Sequence, residues 1–176
     1  MQEIADDAGI NKAMLHYYYR NKEKLFEAVF EEAIQRLIPK IRDILNAEMP
    51  LFEKIEFFVD NYLSLLLENM YMPVFIINEM NQNPRRFVKT LSDKLRFKPD
   101  VFISQIKKAV KNRLIKPVDP GQLFINLISM CVFPFVARPM IMGTFGMSED
   151  AFIKFIKKRK QEIPKFIIDS IKIKKK

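Results

Sequence analysis

The residues whose types and spacing could do chemistry are concentrated in the run QEIADDAGINKAMLHYYYRNKEKL that follows Met1. Ile4, Ala5 and Ala8 fall on one face of a short helix, Gly9 supplies a left-handed stop, and Asn11 can cap a second helix that starts at once. Two short helices joined by so tight a turn make a helix-turn-helix, whose second helix enters the major groove of DNA. An amphipathic pair in an ordinary bundle would not explain three successive tyrosines, Tyr17, Tyr18 and Tyr19, on so short a helix. Enzymatic chemistry finds no comparable set. There is no phosphate-cradling glycine loop, no zinc spacing, and no serine or cysteine placed with histidine and carboxylate in a known pattern. His16 is the only histidine and cannot assemble a metal site with others. Cys131 is the only cysteine, so it forms no internal disulfide and reads as a small buried hydrophobe. Scattered Asp and Glu leave acid–base work as the residual enzymatic reading. The expectation is a protein that is not an enzyme and needs no cofactor.

Those residues must be positioned by helices. The chain has 176 residues, 49% of them hydrophobic and 29% charged, with only 4 Gly, which favours long helices over a turn-rich sheet protein. No Trp is present, but 16 Phe and 10 Met supply bulky, adaptable core volume. No run approaches the roughly 20 apolar residues that span a bilayer, and Met1 opens no signal peptide. A soluble, cytoplasmic protein with no membrane partner is expected. The formal charge of +9 suggests a polyanionic partner, yet the excess is not at the N-terminus. Residues 85–116 hold eleven Lys and Arg against two Asp and Glu, and residues 148–176 hold ten against four, whereas residues 1–49 hold seven against nine.

Prolines and caps divide the chain. From Asn21 a long helix carries Phe26, Phe30, Ala33, Leu37, Ile41 and Ile44 as one apolar stripe, and Pro39 inside it should kink or end it. Pro50 suits the first turn of the next helix, where Leu51, Ile55, Phe58, Tyr62 and Leu66 oppose a polar stripe. Pro73 starts a shorter apolar helix that Asn83-Pro84 should terminate. The basic stretch from Arg85 to Lys116 reads as two helices separated at Lys98-Pro99. Asp119-Pro120 opens the most apolar segment, Leu123 to Met142, expected to be buried on most sides and bent by Pro134 and Pro139. Ser148 caps a last long helix running to Lys174, Lys175 and Lys176, whose charges suit the helix dipole.

The N-terminal run resembles the TetR family signature. Ile4-Ala5, Ala8-Gly9, Asn11, Leu15, Tyr17 to Tyr19 and Lys22-Glu23 match it at the family's spacings. The resemblance implies an all-α fold, with a partial helix-turn-helix DNA-binding domain over residues 1–24 and a larger helical ligand-binding and dimerisation domain over residues 25–176. It places Lys12, Ala13 and Met14 where family members face base edges; a lysine can donate to guanine and a methionine can touch a thymine methyl. His16 and Tyr17 fall where an aromatic pair approaches the DNA backbone, and Lys22 matches a phosphate-contacting lysine. His16 departs from the usual tyrosine. Leu15, Tyr18 and Tyr19 read as packing. In the family a first helix precedes this pair, so the sequence is expected to begin within the second helix, with that first helix missing.

By the same resemblance, the function expected is a ligand-responsive transcriptional regulator, a repressor that binds operator DNA as a homodimer and is released by a small apolar molecule. The helices expected to enclose the interior offer Phe57, Tyr62, Phe75, Asn78, Met80, Phe102, Ile106, Asn126, Met130 and Phe133 as a lining, although Met and Phe at helical spacing need no ligand to explain them. The two C-terminal helices offer Phe124, Leu127, Ile128, Phe152, Phe155, Ile163 and Ile167 as a dimer interface. Two other readings compete: a helical small-molecule-binding or interaction dimer that no longer binds DNA, and attachment to anionic membrane through the basic last helix.

Overall fold

Four helix starts among the described residues are set by the same local bond, a short polar side chain accepting from a backbone N–H that has no partner within its own helix; at the helix opening at Lys22 it is Asn21, accepting from Lys24 at 2.8 Å. Asn11 accepts from the Ala13 N–H at 2.8 Å, Asp119 from Gln122 at 2.8 Å, and Ser148 from Ala151 at 3.3 Å. The computed structural model describes residues 1–94 and 99–173. In order the helices are α1 (Gln2–Asp7), α2 (Lys12–Tyr19), α3 (Lys22–Asn46), α4 (Leu51–Glu68), α5 (Met72–Gln82), α6 (Pro84–Lys89), α7 (Asp100–Lys111), α8 (Pro120–Val136), α9 (Arg138–Phe145) and α10 (Glu149–Ile171). A π-helical turn, Thr90–Lys94, follows α6. The fold is all-α: among the described residues the only β-type pairing is the isolated bridge between Ile115 and Lys172.

The chain divides into two compact units, Met1–Arg36 and Leu37–Lys176, so the boundary falls inside α3 and not at its first residues. Pro39 neither ends nor interrupts α3, which runs on to Asn46. A proline costs a helix one donor and crowds the preceding turn, and here the flanking Leu37, Ile38 and Ile41 are buried, which holds the helix through it. At Asn83-Pro84 the expectation holds, with α5 closing at Gln82 and α6 opening at Pro84. The expected break at Lys98 and the charges at Lys174 to Lys176 lie outside the described residues.

In the second unit α10 runs antiparallel to α4. Lys160 donates to Ser64 Oγ at 2.6 Å and pairs with Asp60 at 3.1 Å. Arg138 stacks over Tyr71, just past the end of α4, and over Phe152 in the first turn of α10, 5.4 Å from each ring, and it pairs with Glu149. Phe58, Leu63, Leu66, Phe102, Ile106, Phe135, Phe152 and Ile156 are fully buried. The apolar segment from Leu123 to Met142 is not one helix. It breaks at Ala137 by 70°, with Pro134 inside α8 and Pro139 in the first turn of α9. Nor is it buried on most sides, because Ile125 and Phe133 are each more than half exposed. Among the described residues no single helix is long and apolar enough to cross a membrane.

Two polar side chains hold the connection from α3 to α4. Lys54, almost wholly buried, donates to the Leu45 carbonyl at 3.0 Å, and burial lowers its pKa. Gln105 of α7 donates to the Met49 carbonyl at 2.7 Å. Cys131, fully buried on α8, has its thiol pushed up to about 12 by burial, with Arg159 pulling the other way. Because only the thiolate reacts, a thiol reagent at pH 8 should leave the native protein unlabelled and modify Cys131 once denaturant is added; labelling without denaturant would contradict this burial. The pH dependence has a fixed sign. The unfolded thiol ionises near 9.0 while the folded one stays protonated to about 12, so this group's contribution to stability is intact below pH 9 and is lost across that interval.

Candidate nucleic-acid interface

The turn between α1 and α2 is closed at both sides. Gly9 takes φ +64°, the left-handed region where a side chain is disfavoured, and the Ile10 N–H reaches back to the Ala5 carbonyl at 2.9 Å while the Gly9 N–H bonds Asp6 at 3.1 Å. Asn11 then caps α2. With the chain reversed in four residues between Asp7 and Lys12, Ala5 and Leu15 become the buried residues of the pair. Ile4 and Ala8 do not join them: Ile4 is 39% exposed and Ala8 is exposed too.

Burial of Leu15 fixes which way the rest of α2 faces. Lys12, Ala13, Met14, His16 and Tyr17 are all exposed, Met14 by 50% and Tyr17 by 81%, and Lys22 is exposed at the start of α3. Tyr18, expected to pack, is instead 68% exposed and meets Tyr17 edge-to-face with ring centroids 5.3 Å apart. His16 has a local partner. Its Nδ1 lies 2.9 Å from the Arg20 carbonyl, which leaves Nε2 as the ring nitrogen available outward. Arg20 itself was not foreseen as part of this surface: it closes α2 at φ 56°, a left-handed position held by a non-glycine residue, and its side chain is exposed.

The expected ligand lining is not gathered at one cavity. Tyr62 borders a cavity of about 390 Å³ between the end of α3 and α4, together with Ile41, Asn61 and Leu65. Phe102 and Ile106 are fully buried, Phe75 and Met130 half-buried, and Phe57, Asn78, Met80, Asn126 and Phe133 exposed. A second cavity, of about 480 Å³, lies between the α3–α4 connection and α7, bordered by Met49, Lys54, Val101, Ser104, Gln105 and Lys108. The expected dimer residues divide similarly. Leu127, Phe152, Ile163 and Ile167 are spent inside their own unit at 2% exposure or less, whereas Phe124, Ile128 and Phe155 are half-buried. The exposed apolar residues of α8 and α10 are Ile125, Phe133 and Phe166. Among the described residues no group of three or more His, Cys, Asp or Glu side chains could hold a metal ion.

Residues 1–29 match the family of bacterial regulatory proteins described as the tetR family. That match covers α1, the turn, α2 and the opening of α3. An uncharacterised HTH-type transcriptional regulator of Bacillus subtilis (strain 168), YhgD, is 23% identical over 130 residues, which covers 68% of this chain. The matched part is 63% of that relative, so the chain spans less than two thirds of its length. The family match falls on the two helices whose closing glycine, capping asparagine and outward side chains form the candidate interface, so the likeness to the tetR family of bacterial regulatory proteins is carried by the first 29 residues.

Proposed function

We propose that this chain is a ligand-responsive transcriptional regulator, a cytoplasmic repressor that binds operator DNA as a homodimer and is released by a small molecule of largely apolar character. The observation that carries the reading is the presentation of Lys12, Met14 and Tyr17 on the exposed side of a capped, eight-residue α2. Lysine offers a donor to guanine O6 and N7, methionine an apolar contact to a thymine methyl, and both must reach base edges from a helix lying in the major groove. Lys22 is placed to meet phosphate, which positions the helix without reading sequence.

The homodimer is supported by apolar surface. Ile125 and Phe133 of α8 and Phe166 of α10 are each more than half exposed, on two helices that pack against one another. A two-fold operator calls for two recognition helices. The effector is supported by the cavities of about 480 and 390 Å³, both within the range of small-molecule sites.

Duplexes enriched from a random library by the protein supply the operator for the test. Lys12→Ala or Met14→Ala should then lower affinity for the enriched duplex by about 1–3 kcal/mol and relax preference at one or two base pairs. Lys22→Ala should weaken every sequence alike and flatten the salt dependence by about one unit. Failure to enrich any sequence, or enrichment indifferent to all three substitutions, would remove the reading. Phe133→Glu combined with Phe166→Glu places charges on the proposed dimer face and should convert the dimer to monomer in light scattering without unfolding it; an unchanged dimer means a different face is used.

A further inference from the structure

Two basic segments outside the helix-turn-helix meet at one edge of the second unit. The first unit, residues 1–36, holds five Lys and Arg against seven Asp and Glu. Residues 107–119 hold five against one, and residues 165–173 hold Lys165 and Lys172 against Asp169. The fold brings these two basic segments together. The Lys116 N–H bonds the Ile171 carbonyl at 2.7 Å, Lys116 Nζ reaches the Ser170 carbonyl at 2.9 Å, and Ile115 pairs with Lys172 in the isolated bridge.

The end of α7 is built to keep this edge fixed. The Leu114 N–H reaches the Ala109 carbonyl at 2.9 Å and the Arg113 N–H reaches Val110 at 3.0 Å, a closure that puts the intervening residue in the left-handed region. That residue is Arg113, at φ 55°, where glycine would sit without strain. Lys107, Lys111, Arg113 and Lys172 are exposed and make no ion pair among the described residues. The acidic side chains of the two segments are Asp119, which caps α8, and Asp169, exposed one turn before Lys172. Neither forms an ion pair with Lys107, Lys111, Arg113 or Lys172 among the described residues.

We propose that this edge, made by the end of α7 and the end of α10, binds the phosphate backbone of double-stranded DNA without reading its sequence. The proposal rests on the regulator reading for its partner. Charge complementarity selects a polyanion, because exposed cations without an acidic partner gain by releasing the counterions of each phosphate they neutralise. An anionic bilayer is the competing partner and is less well matched. Membrane attachment needs an apolar helix face to insert, and on α10 Ile163, Ile167 and Ile171 are at most 3% exposed. The large exposed apolar side chains of the two segments are Leu114, Phe166 and Ile173, scattered rather than forming one inserted face.

The test uses the full chain and a fluorescent 30-base-pair duplex of scrambled sequence, titrated from low to moderate salt. The combined substitution Lys107→Gln, Lys111→Gln and Lys172→Gln should weaken binding to the scrambled duplex at least tenfold and reduce the salt slope by roughly two to three units. A second variant, Lys107→Glu with Lys111→Glu, alters only exposed α7 side chains and should weaken it further; thermal melting checks that both variants remain folded. Lys12→Ala with Met14→Ala should leave scrambled-duplex affinity within about twofold, which separates this edge from the recognition helix. Unaltered affinity in both folded edge variants overturns the proposal even if an operator is recognised. Conversely, loss of scrambled-duplex binding in these variants supports it even if no operator is ever enriched. Binding to phosphatidylserine vesicles that the edge variants abolish, with DNA binding unaffected, also overturns it.

Discussion

The antiparallel contact between α4 and α10 is the constraint on which the second unit depends. Each helix carries a long apolar stripe that is worth little until it meets another, about 25 cal/mol for each Å² removed from water. Register along the pair is held by polar side chains at its middle and at one end. Lys160 bridges to Asp60 and Ser64, and Arg138 spans Tyr71 and Phe152 while pairing with Glu149. Once α4 and α10 are fixed, α8 has one place to go. Cys131 is fully buried near Tyr62 of α4 and Arg159 of α10, and Arg159 donates to the Met130 carbonyl at 2.8 Å. Tyr62 has its phenol pushed far up, first by that burial and second by Cys131.

What the sequence made legible was whatever a few consecutive residues decide. Asn11, Asp119 and Ser148 were readable as caps because a side chain bonding an N–H two or three residues ahead depends on nothing distant. Gly9 was readable for the same reason, since a chain reversing between two helices needs a left-handed residue there. The helix-turn-helix could therefore be located to the residue, and Lys12, Met14 and Tyr17 sit on its open side.

Less legible was every choice made between distant segments. In α8 almost all side chains are apolar, so periodicity could not say which of Ile125, Leu127, Phe133 and Phe135 face inward; contact with α4 and α10 decides it. For that reason four of the dimer residues expected from hydrophobicity turn out to be the unit's own core. Charge misleads in a related way. Lys54 and Arg138 carry charges that favour solvent, yet both are buried, because the first finds the Leu45 carbonyl and the second finds Glu149 and two aromatic rings. Tyr18 erred in the opposite direction: an aromatic on a short helix was taken for packing, and no residue of the first unit covers it.

The two kinds of interaction that DNA demands have different ranges, and on the proposed reading the chain separates them accordingly. Reading a base edge depends on hydrogen bonds within about 3 Å and therefore on a rigidly presented side chain, which the capped turn between α1 and α2 supplies. Its unit, however, has more acidic than basic residues and contributes little general attraction to a polyanion. Cations elsewhere cannot make up for this at a distance, since salt screens charges over about 8 Å at physiological ionic strength. They must touch phosphate to count. A basic edge held by backbone bonds between Lys116 and Ile171 keeps its charges at the surface without the entropy cost of ordering a loose tail. On the proposed reading, specificity set by a few residues of α2 and affinity set by the lysines of another unit can be altered independently by substitution.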